Sequence, residues 1–148
     1  MAYAVGLGAA AELARTNLDT EQLRLTGLRD RLHQALDGAL PGQVALNRHP
    51  TRRLLNTLNI SISGVVGHDL LAAVADLAAS TGSACHGGTN EPSPVLTAMG
   101  LDRRRALAAM RLSLGRWTTV ADVDRFAQIL AVTARRLRRS LEYVPAIG

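Results

Sequence analysis

One sulfhydryl, and positive charge carried by arginine alone, bound the chemistry open to this sequence. Cys85 is the single cysteine and sits in Ser80-Thr81-Gly82-Ser83-Ala84-Cys85-His86-Gly87-Gly88. A structural cysteine is usually buried on a helix or strand, whereas this one lies among glycines and small polar residues, which predicts an exposed loop. A free thiol has a pKa of about 8.5, and nearby positive charge lowers it. His86 and the arginines are the groups able to supply that charge. The resulting thiolate is a nucleophile; the plain alternative is a loop cysteine with no task. A lone cysteine excludes an internal disulfide and fits a reducing compartment. Together with His33, His49, His68 and His86 it matches none of the familiar zinc-ligand spacings, so no metal site is expected.

Arg111 is the second residue with chemical potential. It alternates with Met110, Leu112 and Leu114, so it shares with Ser113 the face of a strand opposite the apolar one. An arginine there, close to Gly115-Arg116, can grip a carboxylate in two-point geometry. The competing reading is a solvated surface arginine. All 17 basic residues are arginine, a bias that a GC-rich genome also produces. Whatever its origin, the absence of lysine excludes an internal Schiff base, so pyridoxal phosphate (PLP) has no covalent anchor in this chain.

The remaining signals are weaker. Arg103-Arg104-Arg105 and Arg135, Arg136, Arg138, Arg139 are basic clusters in a chain of formal charge +5. They suit a phosphate backbone, but an aromatic content of 3% leaves little for base stacking, so a solvated face or a partner surface is the better reading. Gly6-Leu7-Gly8-Ala9-Ala10-Ala11 imitates a dinucleotide fingerprint, yet no strand precedes it and no βαβ unit follows.

The elements that must position Cys85 and Arg111 follow from periodicity. Residues 3 to about 15 are small and apolar. Leu18, Leu25, Leu28, Leu32 and Leu36 then mark an amphipathic helix, ended by Gly38 and Pro41-Gly42. Val44 to Leu46 is a candidate strand. Residues 57 to 63 alternate Leu58, Ile60 and Ile62 against Asn59, Ser61 and Ser63, which predicts a half-buried strand. Asp69 opens a second helix with Leu70, Leu71, Val74 and Leu77 inward. Residues 81 to 94 form a Gly/Pro-rich loop. A short helix spans Pro94 to Met99 and stops at Gly100, and a helical turn follows near Arg103 to Ala109. After the Met110–Leu114 strand, Thr118 or Thr119 caps a last helix whose buried stripe is Val120, Val123, Phe126, Leu130, Leu137 and Leu141.

At 148 residues, 47% hydrophobic and 20% charged, the chain is long enough for one domain with a core, and no apolar run reaches membrane-span length. A single α+β domain over residues 1–148, cytoplasmic, is the expectation. Helix-like sequence begins almost at Met1, an abrupt start.

Read in order, several segments resemble the C-terminal region of the cysteine desulfurases and selenocysteine lyases of the class V aminotransferase family. They are Asn56-Thr57-Leu58-Asn59-Ile60-Ser61, Ser80-Thr81-Gly82-Ser83-Ala84-Cys85, Glu91-Pro92-Ser93-Pro94-Val95-Leu96, Met99-Gly100-Leu101, and Arg111-Leu112-Ser113-Leu114-Gly115-Arg116 with Thr118-Thr119. The resemblance extends over essentially the whole chain. It implies the small C-terminal domain of a PLP-dependent transferase of the aspartate aminotransferase type, with a short, mostly antiparallel sheet packed against long helices.

By that resemblance, Cys85 attacks the sulfur of a PLP-bound substrate, holds it as a persulfide and passes it on for Fe–S cluster or thio-cofactor synthesis. Arg111 matches the residue that holds the substrate α-carboxylate. His86 and Asn56 are auxiliary candidates. The cofactor implied is PLP, and the partners implied are a PLP-binding domain or subunit, a sulfur acceptor such as an Fe–S scaffold, and a second copy in a homodimer of the intact enzyme. The family's PLP-binding large domain, with its lysine, has no counterpart here, and Leu55 stands where the family often has proline. Gly82-Ser83-Ala84-Cys85 leans toward the desulfurases; Cys85-His86 and Pro92-Ser93-Pro94-Val95-Leu96 lean toward the selenocysteine lyases. The readings left open are a fragment or subunit of a desulfurase, inactive by itself; the corresponding piece of a selenocysteine lyase; a persulfide carrier loaded by another desulfurase; and a basic nucleic-acid-binding module.

Overall fold

The computed structural model describes residues 1–47, 49–74, 77–82 and 91–142, and for 141 and 142 the backbone only. The amphipathic helix α1 runs Ala2–Ala39. Leu28, Leu32 and Leu36, spaced one turn apart, are its buried leucines. It ends where the next turn is dictated by Pro41 and Gly42. Gln43 N–H donates to Leu40 C=O at 3.0 Å, with proline second and a glycine of φ 69 third, the composition of a type II turn.

Three antiparallel strands follow the order β1-β2-β3: β1 Val44–Leu46, β2 Thr57–Ile62 and β3 Ala109–Ser113. Val44 pairs with Ile62, and Asn59 with Arg111. One sheet face carries Val44, Leu46, Leu58, Ile60, Ile62, Met110 and Leu112, and it joins α1 and α5 (Val120–Glu142) in the main core. Leu36, Leu58, Ile60, Ile62, Met110 and Leu130 are wholly buried. At about 25 cal/mol per Å² of apolar surface, burial of this kind is the dominant stabilising term. This is the α+β architecture expected, a short antiparallel sheet against long helices.

The opposite face departs from expectation. Ser61 was read as solvent-facing but is buried. Helix α4 (Arg103–Leu107) lies over β2 and makes the strand two-sided. The polar groups it covers are matched. Ser61 Oγ donates to Arg105 C=O at 2.7 Å, Asn47 Nδ2 donates to Ser61 Oγ at 2.8 Å and to Asn59 Oδ1 at 3.0 Å, and Arg105 donates to Asn47 Oδ1 and Leu46 C=O. Buried polar groups persist only when paired in this way.

Helix α2 (Gly67–Ala72) is shorter than its apolar pattern suggests. Leu70 and Val74 are buried while Leu71 and Leu77 are only half covered. Gly67 makes the close approach possible, because a Cβ there would stand 2.5 Å from Ala109 O. Helix α3 (Pro94–Ala98) begins on its proline and stops before Gly100, as read. In α5, Val123 and Leu130 are buried and Phe126 and Leu137 half buried, but Val120 is 49% exposed. Val120 occupies the first helical position, where the chain has not yet turned onto the core. The side chain of Leu141 lies outside those described.

Candidate functional site

Arg111 lies on the outer face of β3 and is exposed, between buried Met110 and Leu112. Its strand would be an open edge, a feature that proteins normally cover. Ser80 covers it. Arg111 N–H donates to Ser80 C=O at 2.6 Å, and Ser80 N–H donates to Arg111 C=O at 3.2 Å. Ser80 is thus a one-residue fourth strand, and its own hydroxyl donates to Gly82 C=O at 2.6 Å, beginning the turn that leads away. Cys85 and His86 lie outside the described residues.

The far end of β3 is held by two fixtures. Asn56 extends the β2–β3 ladder: Leu114 N–H donates to Asn56 C=O at 2.8 Å, and the Asn56 side-chain amide donates to Leu114 C=O at 3.2 Å. Arg24, on α1, then clamps the following turn by donating to Gly115, Arg116 and Thr118 carbonyls at 3.1, 3.0 and 2.7 Å. Glu21 aims that guanidinium; its carboxyl is held below the usual range by the Arg24 hydrogen bonds, and the Arg24 value is raised in return. Thr119 caps α5, as read. Asp122 N–H donates to Thr119 Oγ1 at 3.1 Å, and Thr119 N–H donates to Asp122 Oδ2 at 2.9 Å, a reciprocal capping box. The Thr119 hydroxyl, 2.7 Å from Asp122 Oδ2, and then the Thr119 backbone N–H hold the Asp122 carboxyl below its usual value.

These fixtures present Arg111 on a strand secured at both ends while leaving its guanidinium to solvent. A cleft of about 440 Å³ opens beside the end of β3, lined among others by Leu77, Ala78, Ser113, Thr118, Asp122 and Phe126. Arg111 does not line it. Among the described residues no group of three His, Cys, Asp or Glu side chains is placed to hold a metal ion, and no helix is long and apolar enough to cross a membrane. Ser80 and Arg24 were not singled out from the sequence. Arg24 acts across more than ninety residues of chain, and no local pattern announces such a contact.

The sequence profile of the aminotransferase class-V family matches residues 1–126. The chain belongs to the aminotransferase class-V family. Within it, the chain is 42% identical over 134 residues to a cysteine desulfurase IscS of Acinetobacter baumannii (strain AYE), covering 90% of this chain and 33% of that protein. It is 41% identical over 134 residues to a cysteine desulfurase IscS of Anaeromyxobacter sp. (strain K), with the same coverage. Among solved structures, a NifS-like protein superposes with a TM-score of 0.75 at 28% identity, over 90% of this chain and 33% of that one. A NifS-like protein from Rickettsia africae ESF-5 superposes with a TM-score of 0.74 at 23% identity, over 88% of this chain and 33% of that one, and bears on the fold alone. This class-V family chain therefore spans about a third of the length of the relatives it matches. The α+β fold read from the sequence is the fold of these neighbours.

Proposed function

We propose that residues 1–148 form one domain that supplies the sulfur-accepting part of a cysteine desulfurase. Cys85 takes sulfur as a persulfide, and Arg111 holds the carboxylate of the amino acid that delivers it. The observation that carries this reading is the backbone pairing of Ser80 with Arg111. It ties the entrance of the Cys85 segment to the strand that offers the guanidinium. Four residues stand between Ser80 and Cys85, and five steps of up to roughly 3.6 Å keep the Cys85 Cα within about 18 Å of that bridge. A thiolate on a short tether beside a carboxylate grip is what sulfur capture from a free amino acid requires. The identity of 42% to a desulfurase supports the same reading.

PLP, the cofactor of such chemistry, does not fit this chain as a covalent site, because the chain has no lysine. Other polypeptide must hold it, so the chain acts as a fragment or subunit of the active enzyme. Asn56 has a positioning role in this scheme, since its amide secures the end of the Arg111 strand. His86, next to Cys85 in the sequence, is the group able to favour the thiolate. Delivery to an Fe–S scaffold and a homodimeric assembly are part of the same proposal, as is a cytoplasmic setting.

The test is co-expression of this chain with the PLP-binding portion of an IscS relative, followed by cysteine-dependent sulfide release and intact-mass measurement. Turnover only in the mixture, with one sulfur added to Cys85 and none in Cys85→Ala, is the expected result. A mixture that binds PLP but leaves Cys85 unmodified overturns the assignment. Sulfur gained by the chain alone, on incubation with cysteine and a separate complete desulfurase, would instead favour the carrier role that the missing lysine also permits.

A further inference from the structure

A second charged constellation lies outside this site. Arg29, on α1, has a side chain only 7% exposed. Its Nε donates to Asp30 Oδ1 at 2.9 Å, its Nη2 lies 2.8 Å from the same oxygen, and its Nη1 donates to Leu54 C=O at 3.0 Å. Arg53, in the segment leading to β2, is 8% exposed and donates through Nη2 to that same Oδ1 at 3.0 Å. Its Nε and Nη1 are sealed from solvent and have no acceptor among the described residues. Two buried guanidiniums therefore share one oxygen of one carboxylate, and two donors are left over.

Guanidinium does not discharge in proteins, so an unmatched buried one is an unmet demand for negative charge. Burial, then repulsion from Arg29, lowers the Arg53 pKa against the pull of Asp30. Asp30 is 42% exposed, so the cluster meets solvent on its side. Leu54 and Leu55, next to Arg53, are 60% and 37% exposed. Exposed apolar side chains beside arginine are the kind of surface that a protein contact covers.

We propose that Arg53, with Arg29 and Asp30, is a binding site for a second oxyanion, supplied by a free anion or by a carboxylate side chain of a partner polypeptide. The site is separate from the Cys85–Arg111 reading and does not depend on it.

The experiment titrates the full chain with inorganic sulfate, with acetate and with an oligoglutamate peptide at constant ionic strength. It follows the Arg53 Nε–H resonance and the melting temperature. Saturable shifts of that resonance, with a rise in Tm, are expected. Arg53→Met should weaken the binding by about tenfold or more, as loss of a charge-assisted hydrogen bond does. Arg52→Met, which removes equal charge from the adjacent exposed residue, should leave it within about twofold. Tighter binding of the peptide than of acetate identifies a polypeptide source, and comparable binding of sulfate and peptide identifies a free anion. No saturable shift with any of the three probes, or an equal loss in Arg52→Met, overturns the proposal.

Discussion

Ser80 and Arg111 exchange both of their backbone hydrogen bonds, at 2.6 and 3.2 Å. The pairing uses only the main chain of Arg111 and does not engage its side chain. Arg111→Ala is therefore expected to leave Tm within about 2 °C of the parent. In the reconstituted enzyme it should lower kcat/KM for cysteine by about a hundredfold, the scale of a lost positioning contact. Arg111→Lys should recover little, since a point charge does not reproduce the two-point grip. Calorimetry together with sulfide release measures both quantities.

Ser80→Pro removes the N–H that completes the bridge. Hydrogen exchange should then show the Arg111 amide losing protection while the Ile60 and Met110 amides keep theirs. Persulfide formation on Cys85 should slow in the assembled enzyme. Unchanged protection at Arg111 would detach the Cys85 segment from β3 and weaken the functional reading.

Gly67→Ala places a methyl group 2.5 Å from Ala109 O, a backbone atom of β3 that cannot step aside alone. Destabilisation of about 1–3 kcal/mol is expected from this overpacking, read as a lower denaturation midpoint with unchanged slope. Gly38→Ala, on an open stretch of α1, should stabilise slightly instead, because alanine is the better helix former.

Two of the depressed carboxylates give a testable share of the acid limit of stability. Asp122 is held below its usual value of 3.8 by Thr119, and Asp124 by Arg31, whose Nε lies 2.7 Å from Oδ1. Both folded values are depressed. Their contribution is thus complete above the unfolded value and is lost as pH falls through the folded ones. Melting temperatures recorded from pH 6 down to pH about 2.5 should fall more steeply for the parent than for Asp122→Asn/Asp124→Asn. Parallel curves would assign the acid transition to other groups.

Ser61→Ala withdraws the hydroxyl that joins Asn47 to the Arg105 carbonyl. A cost of about 1–3 kcal/mol is expected, the scale of leaving a buried polar group unpaired. Denaturant unfolding of Ser61→Ala beside Ser63→Ala, an exposed position on the same face, isolates the network from mere loss of polarity.

Much of this arrangement is legible in the residues themselves. The alternation around Arg111 states which side of β3 is apolar, and the structure places the guanidinium on the other. Pro41-Gly42, Pro94 and Gly100 mark turns and helix ends that are local in origin. Thr119 and Asp122 speak for the start of α5 because a capping box is complete within four residues. What could not be read depends on distant chain. Ser61 looks like any outward serine until α4 is laid over β2. Leu18 looks like a core residue, yet it is 52% exposed. Its helix continues past the point where α5 begins, near the Arg31–Asp124 contact. The Ser80 bridge, the Arg24 clamp and the Arg29–Arg53 pair are likewise products of tertiary proximity.

That overrun of α1 carries a consequence for how the polypeptide behaves in solution. Its first nineteen residues, 2–20, all face water, a rod of roughly 28 Å at the ordinary rise per residue. Apart from local contacts such as Arg15–Glu12, only its own main-chain ladder supports it, without the tertiary packing that gives most protein helices their stability. Trypsin should therefore nick at Arg15 long before it cuts the leucine-packed turns beyond Leu25. Circular dichroism of the free chain should show a shallow, uncooperative loss of ellipticity on warming, ahead of the main transition. Anything that docks along Tyr3, Leu7 and Leu18 should abolish both signatures.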